Sequence, residues 1–134
     1  MYLLDTNVLS EFRRARPHGA VLAWTRSVRE DQLYVSAVTI FELQVGAEIT
    51  RRQNAVRASE LDAWIDTIPD AFQILASDNK VFRRAAKLLH GKSPDLLGDG
   101  LIAATALVHN LTVVTRNIRD FAHFDVPTFD PFAT

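Results

Sequence analysis

Residues 2–12 read Tyr2-Leu3-Leu4-Asp5-Thr6-Asn7-Val8-Leu9-Ser10-Glu11-Phe12. The apolar run Tyr2 to Leu4 is cut by three residues that favour turns and helix caps. This predicts a short buried strand, a turn at Asp5 and a helix behind it. The same alternation recurs downstream. Arg16-Pro17-His18-Gly19 is a breaker, and Val21, Ala23, Trp24 and Val28 give a helical face over Ala20 to Val28. Leu33 to Val35 is rich in strand formers and ends at Ser36; Val38, Phe41, Leu43, Val45 and Ile49 then mark a helix to about Thr50. After the polar elbow Arg51-Arg52-Gln53-Asn54, the spacing of Val56, Leu61, Trp64, Ile65 and Ile68 predicts a further helix that Pro69 closes.

Phe72 to Leu75 reads as a third strand, and Asp78 starts a helix that ends near Gly91. Ser93-Pro94 opens the next segment. In it Leu101 to Val108 is almost wholly apolar, as a helix buried between sheet and neighbours must be. Asn110 stops that helix, Leu111 to Thr115 is a strand, and Thr128 to Phe129 adds a short edge strand after Pro127. Strands separated by helical tracts predict an α/β fold: a three-layer α/β/α sandwich around a mostly parallel central sheet. With 134 residues and 48% hydrophobic content the chain suits one domain over 1–134 with a closed core. No repeat or linker divides it.

Several function classes drop out on composition. There is no Cys, so disulfides, thiolate metal sites and thiol catalysis are excluded, and a reducing cytoplasm suits the chain. The apolar run before Asp5 is too short for a signal peptide, and no stretch approaches the ~18 apolar residues of a membrane span. The four His, at 18, 90, 109 and 123, lack ligand spacing, which disfavours a zinc hydrolase. Phosphate-loop, dinucleotide and serine-hydrolase signatures are absent. Asp5-Thr6-Asn7 also lacks the second Asp, two residues on, that an aspartyl-phosphate phosphatase needs.

What remains is a set of acids. In open parallel sheets ligands bind beyond the carboxyl ends of the strands. Asp5 follows the first strand, Glu42 lies in the second turn of the helix after the second, Asp99 begins the buried helix, and Asn117 and Asp120 follow the last long strand. Converging carboxylates raise one another's pKa unless cations neutralise them, and hard oxygen donors favour Mg²⁺ or Mn²⁺. Such ions lower the pKa of bound water and stabilise charge on a displaced phosphate oxygen, which is phosphodiester-cleaving chemistry. Each acid also has a plain structural reading. Asp5 caps the next helix; Thr39-Ile40-Phe41-Glu42 fits a capping box; Asp99, or Asp95 before it, complements a helix dipole; Asn117 and Asp120 serve a turn.

The ordered blocks YLLDTNVLSEF, VSAVTIFELQVGA and GDGLIAATALVHNLTVVTRNIRDF resemble PIN-domain nucleases, in particular the VapC toxins of bacterial toxin–antitoxin pairs and their FitB-like relatives. The likeness spans almost the whole chain. It implies that Asp5, Glu42 and Asp99 hold a catalytic metal and its water, Glu42 directly or through water. The fourth position, where the family has Asp or Asn after T-R, is Asn117, with Asp120 as the nearby acid; an amide there leaves open whether one metal or two is bound. Thr6 and Thr115 match hydroxyl positions that support the acids, and Arg116, beside Asn117, is the candidate for a phosphate or partner contact.

The resemblance further implies a homodimer, an RNA substrate (tRNA or rRNA) whose cleavage stops translation, a cognate VapB-like antitoxin, and contact with DNA only through that antitoxin. The alternative is a PIN fold that binds RNA or protein without cutting. The formal charge of −1 is unusual for a nucleic-acid binder, but a pair of divalent cations would make the site positive. Twelve of the fifteen basic residues are Arg, suited to bidentate phosphate contacts.

Overall fold

The computed structural model describes residues 1–133; Thr134, the last residue of the expected domain, lies outside them. Five strands, β1 (Tyr2–Leu4), β2 (Leu33–Ser36), β3 (Gln73–Leu75), β4 (Thr112–Val114) and β5 (Thr128–Phe129), form one sheet in the order β3-β2-β1-β4-β5. Every pairing is parallel, so the expected mostly parallel sheet is wholly so. The connecting helices are α1 (Thr6–Leu9), α2 (Gly19–Ser27), α3 (Ala37–Arg51), α4 (Ala55–Ala71), α5 (Asn79–Leu89), α6 (Leu97–His109) and α7 (Ile118–Phe121).

The residues of β1 and β4 show why helices cover both faces. Leu3 and Val113 pack with Ile102, Ala103 and Phe121, whereas their neighbours Leu4 and Val114 pack with Val8, Val21, Ala47 and Ile65. Successive strand residues point to opposite faces, so a strand apolar at both must be covered twice. One layer is therefore built from α1 to α4 and the other from α6 and α7. Helix α5 lies outside α6, joined to it through Val81, Ala85 and Ala104. Gly100 permits that approach: a Cβ there would stand 2.5 Å from Leu89 Cδ2.

Three expectations are corrected. Pro69 does not close α4, which runs on to Ala71; proline removes only its own N–H, and Phe72 N–H still donates to Ile68 O at 2.9 Å. The capping box at Thr39–Glu42 does not form. Helix α3 starts at Ala37, its cap is Ser36, whose hydroxyl accepts from Val38 N–H at 3.1 Å, and Thr39 Oγ1 is buried with no hydrogen bond. Finally, a 3₁₀ turn over Pro94–Leu96 precedes α6, so Asp99 sits in the first turn of α6 rather than at its first residue. At the other end of α6, Asn110 adopts the left-handed backbone (φ 56°), and Leu111 N–H bonds back to Ala106 O at 2.8 Å. This is how the expected helix stop turns the chain into β4.

Candidate active site

The chain builds β1, β2 and β3 outward in one direction and places β4 and β5 on the other side of β1. The carboxyl ends of β1 and β4 thus flank the point where strand order reverses, the usual ligand crevice of an open parallel sheet. Leu4 is in register with Val114, and Asp5 N–H donates to Val114 O at 2.9 Å. The next residues on the two strands, Asp5 and Thr115, are therefore side by side at the crevice, and both are buried.

Asp5 is held from three directions. Its Oδ1 accepts from Thr6 N–H (2.8 Å), and its Oδ2 accepts from Thr115 Oγ1 (2.8 Å) and from Asn7 Nδ2 (3.3 Å). Thr6 also donates its hydroxyl to Glu42 Oε1 at 2.9 Å, tying the first turn after β1 to α3. Thr115 in turn accepts from Asn117 N–H at 2.9 Å, and Asn117 Nδ2 donates to Asp120 Oδ2 at 2.7 Å. Asn7 Oδ1 accepts from Arg116 N–H at 3.2 Å, a second stitch between the ends of β1 and β4. Thr6 and Thr115 thus bond carboxylates directly. Glu42 does not return a bond to its own helix start, and Asn117 caps α7 without using its side chain.

The electrostatics join these groups to Asp99. Burial pushes the half-buried Asp99 carboxyl up to about 6, and the charges of Asp5, Asp120 and Glu42 add to the rise in that order. Burial also raises Asp5, against the lowering effect of its three hydrogen bonds, and raises Glu42, opposed by the Thr6 hydroxyl and aided by the Asp5 charge. The charges of Asp5, Asp120 and Glu42 thus bear on Asp99, and that of Asp5 on Glu42, each adding to the larger effect of burial. The donor set, hard oxygens without sulfur or imidazole, suits a divalent cation of the Mg²⁺ or Mn²⁺ kind. Among the described residues no group of three or more His, Asp or Glu side chains is gathered closely enough to hold a metal ion. The link between the acids is their mutual repulsion, which a bound cation would relieve.

Arg116 is exposed at the rim, its guanidinium 4.0 Å above the Phe132 ring. Asn7 and Gly98 also shape the site. Asn7 ties Asp5 to the Arg116 backbone, a role visible only once β1 and β4 are neighbours. At Gly98 a Cβ would fall 2.9 Å from Glu42 Oε2, so the glycine before Asp99 leaves room for the Glu42 carboxylate. The Gly98-Asp99-Gly100 triplet was the available signal. Glu11 is buried too, but it accepts from Arg14 Nη1 (3.0 Å) and His18 N–H (2.9 Å), and so fastens the loop before α2.

The chain is similar to known proteins along nearly its full length. The PIN-domain family pattern matches residues 2–127. Toxin FitB of Neisseria gonorrhoeae is 37% identical, with 98% of this chain and 99% of that protein covered. The solved structure of FitAcB from the same organism superposes with a TM-score of 0.85 at 37% identity over 100% of both chains. VapC ribonuclease Y4jK of Sinorhizobium fredii is 34% identical over 98% of each protein. A toxin-antitoxin complex from Klebsiella pneumoniae matches at 26% identity and a TM-score of 0.68, covering 100% of both chains. With the pattern matching nearly the full length, and relatives of this identity aligned end to end, the chain belongs to the PIN-domain family, alongside the FitB and VapC toxins.

Proposed function

We propose that this protein is the toxin of a VapBC-type toxin–antitoxin pair and acts as a metal-dependent endoribonuclease. The observation that carries the reading is Asp99 at the switch point of the sheet, pushed up to about 6 by burial and by the charges of Asp5, Asp120 and Glu42. Asp5, Glu42 and Asp99 would hold Mg²⁺, or Mn²⁺ in its place, with Asn117 or Asp120 completing the set. When bound, the ion would lower the pKa of a water and stabilise charge on the displaced phosphate oxygen.

The protein's own groups do the positioning. Thr6 and Thr115 fix the Asp5 carboxylate from both sides, and Thr6 sets the Glu42 carboxylate relative to it. Asn117 orients Asp120. Arg116 offers the rim a cation for a phosphate oxygen. The relatives named toxin and ribonuclease, and the toxin-antitoxin complex of the same fold, support the class of reaction and the kind of partner. A VapB-like antitoxin would cover apolar surface on α3 and α4, where Phe41, Val45, Ile49 and Val56 are exposed. A homodimer and a cytoplasmic site of action, with cleavage of tRNA or rRNA stopping translation, complete the proposal. Among the described residues no helix is long and apolar enough to cross a membrane.

The test is cleavage of structured RNA by the purified protein with Mg²⁺. Activity should vanish with chelator and in Asp5→Asn and Asp99→Asn, with folding retained. Undiminished cleavage by either variant would refute the site; RNA binding with no cleavage under any divalent metal would favour the non-cutting module.

A further inference from the structure

An acidic catalytic centre repels the polyanion it must cut, so a ribonuclease of net charge −1 needs its affinity for RNA from cations elsewhere. Four of its twelve arginines are held by acids or a ring on the protein itself. Arg14 pairs with Glu11, Arg29 with Asp31, and Arg51 with both Glu48 and Asp62. Arg13 lies over the ring of Trp64, while Arg116, exposed above Phe132, stands at the rim of the acids.

Of the cations outside these contacts, four gather on helix α5. Lys80, Arg83, Arg84 and Lys87 are all exposed, and none makes an ion pair among the described residues. The nearest acid in sequence, Asp78, spends its carboxylate on the helix start, accepting from Val81 N–H at 3.1 Å. The four cations line one surface groove of about 280 Å³ together with Val108 at the far end of α6. Val108 is near the carboxyl end of α6 whereas Asp99 is in its first turn, so the groove lies toward the opposite end of that helix from the acids. Apart from the adjacent pair Arg83 and Arg84, spacings of three and four residues set neighbouring charges roughly 4.5 to 6 Å apart along the helix axis. Two of the four are Arg, whose fork matches phosphate oxygens.

Resting on the ribonuclease reading, we propose that the α5 row is a second RNA contact: a phosphate-backbone grip that holds the substrate away from the scissile bond. A row of point charges with no aromatic in the groove binds backbone rather than bases, so it contributes affinity without sequence preference. The substrate would therefore reach across the α5–α6 side of the molecule.

The experiment measures affinity for a fluorescently labelled RNA hairpin by anisotropy, in chelator, across a KCl series. It compares wild type with the triple variant Lys80→Gln, Arg84→Gln, Lys87→Gln. Gln has helix propensity close to that of Lys and Arg, and the positions are exposed, so the fold should stand. The α5 triple should bind about tenfold more weakly, with a salt slope shallower by about 2, as expected for three lost phosphate contacts. The control triple Arg16→Gln, Arg26→Gln, Arg29→Gln removes the same charge and should change affinity less than about twofold. Equal loss in both triples, or none in either, overturns the proposal. So does retained RNA affinity with lost binding of a poly-glutamate peptide, which would mark the row as a protein contact. Cleavage is scored separately with Mg²⁺. No cleavage by wild type, with α5-dependent binding intact, would sink the nuclease reading and leave the RNA surface standing. Cleavage with an unchanged KM in the α5 triple would sink the surface alone.

Discussion

Asp99, in the proposed site, is a residue whose ionised form costs the fold stability. A folded-state value of about 6 against an ordinary 3.8 means that the folded protein favours the protonated carboxyl. That contribution is fully present below pH 3.8 and is lost as pH rises through 6, so at pH 7.5 the ionised Asp99 destabilises the fold. Asp99→Asn should therefore melt higher than wild type at pH 7.5 in chelator, by about 1 kcal/mol after solvent screening, with the advantage gone at pH 3.5. The same substitution should abolish cleavage. An Asn variant that melts lower than wild type at pH 7.5 would contradict the repulsion described above. Thr115 gives the opposite case. Its buried hydroxyl donates to Asp5 and accepts from Asn117 N–H, so Thr115→Val strands both partners. A loss of about 1 to 3 kcal/mol is expected in denaturant unfolding, together with loss of cleavage; an unchanged midpoint would show that the bonds are dispensable.

At the level of elements, the start of α3 and the α5–α6 contact carry the sharpest expectations. Ser36 caps α3, while Thr39 buries a hydroxyl that bonds nothing. Ser36→Ala should cost about 1 kcal/mol, whereas Thr39→Val should be neutral or stabilising. Chemical denaturation of the pair decides between this cap and one at Thr39, for which the order would invert. Between α5 and α6, a Cβ at Gly100 would meet Leu89 Cγ at 2.6 Å and Cδ2 at 2.5 Å. Gly100→Ala should therefore destabilise by about 1 to 3 kcal/mol, despite the gain of up to ~1 kcal/mol in helix propensity. A more stable Ala variant would mean that Leu89 moves aside freely.

For the molecule as a whole, the proposed metal couples the site to global stability. Mg²⁺ or Mn²⁺ binding the folded state alone should raise the melting temperature of wild type in a concentration-dependent way. The shift should shrink strongly in Asp5→Asn and Asp99→Asn, measured by thermal scanning with and without chelator. An equal shift in all three proteins would place the ion elsewhere.

The order of elements was written in local pattern. Apolar runs of strand formers gave β1 and β2, helical spacing gave α3 and α5, and Asn110 and Pro127 marked the entries to β4 and β5. Local chemistry suffices for these because side-chain period and cap preference act within a few residues. It failed at Pro69, where one missing N–H did not end a helix, and at Thr39–Glu42, where a capping pattern was overruled by Ser36 three residues earlier. The acids were legible as candidates, yet each had a local explanation. Only the packing of β1 beside β4, with α3 and α6 against them, removed the local explanation for Glu42, recruited Asn7 and Gly98, and brought the charges of Asp5, Asp120 and Glu42 to bear on Asp99. Those relations join residues up to 110 apart in the chain. They depend on distances through space, which a linear sequence does not carry, so the tertiary structure alone decided them.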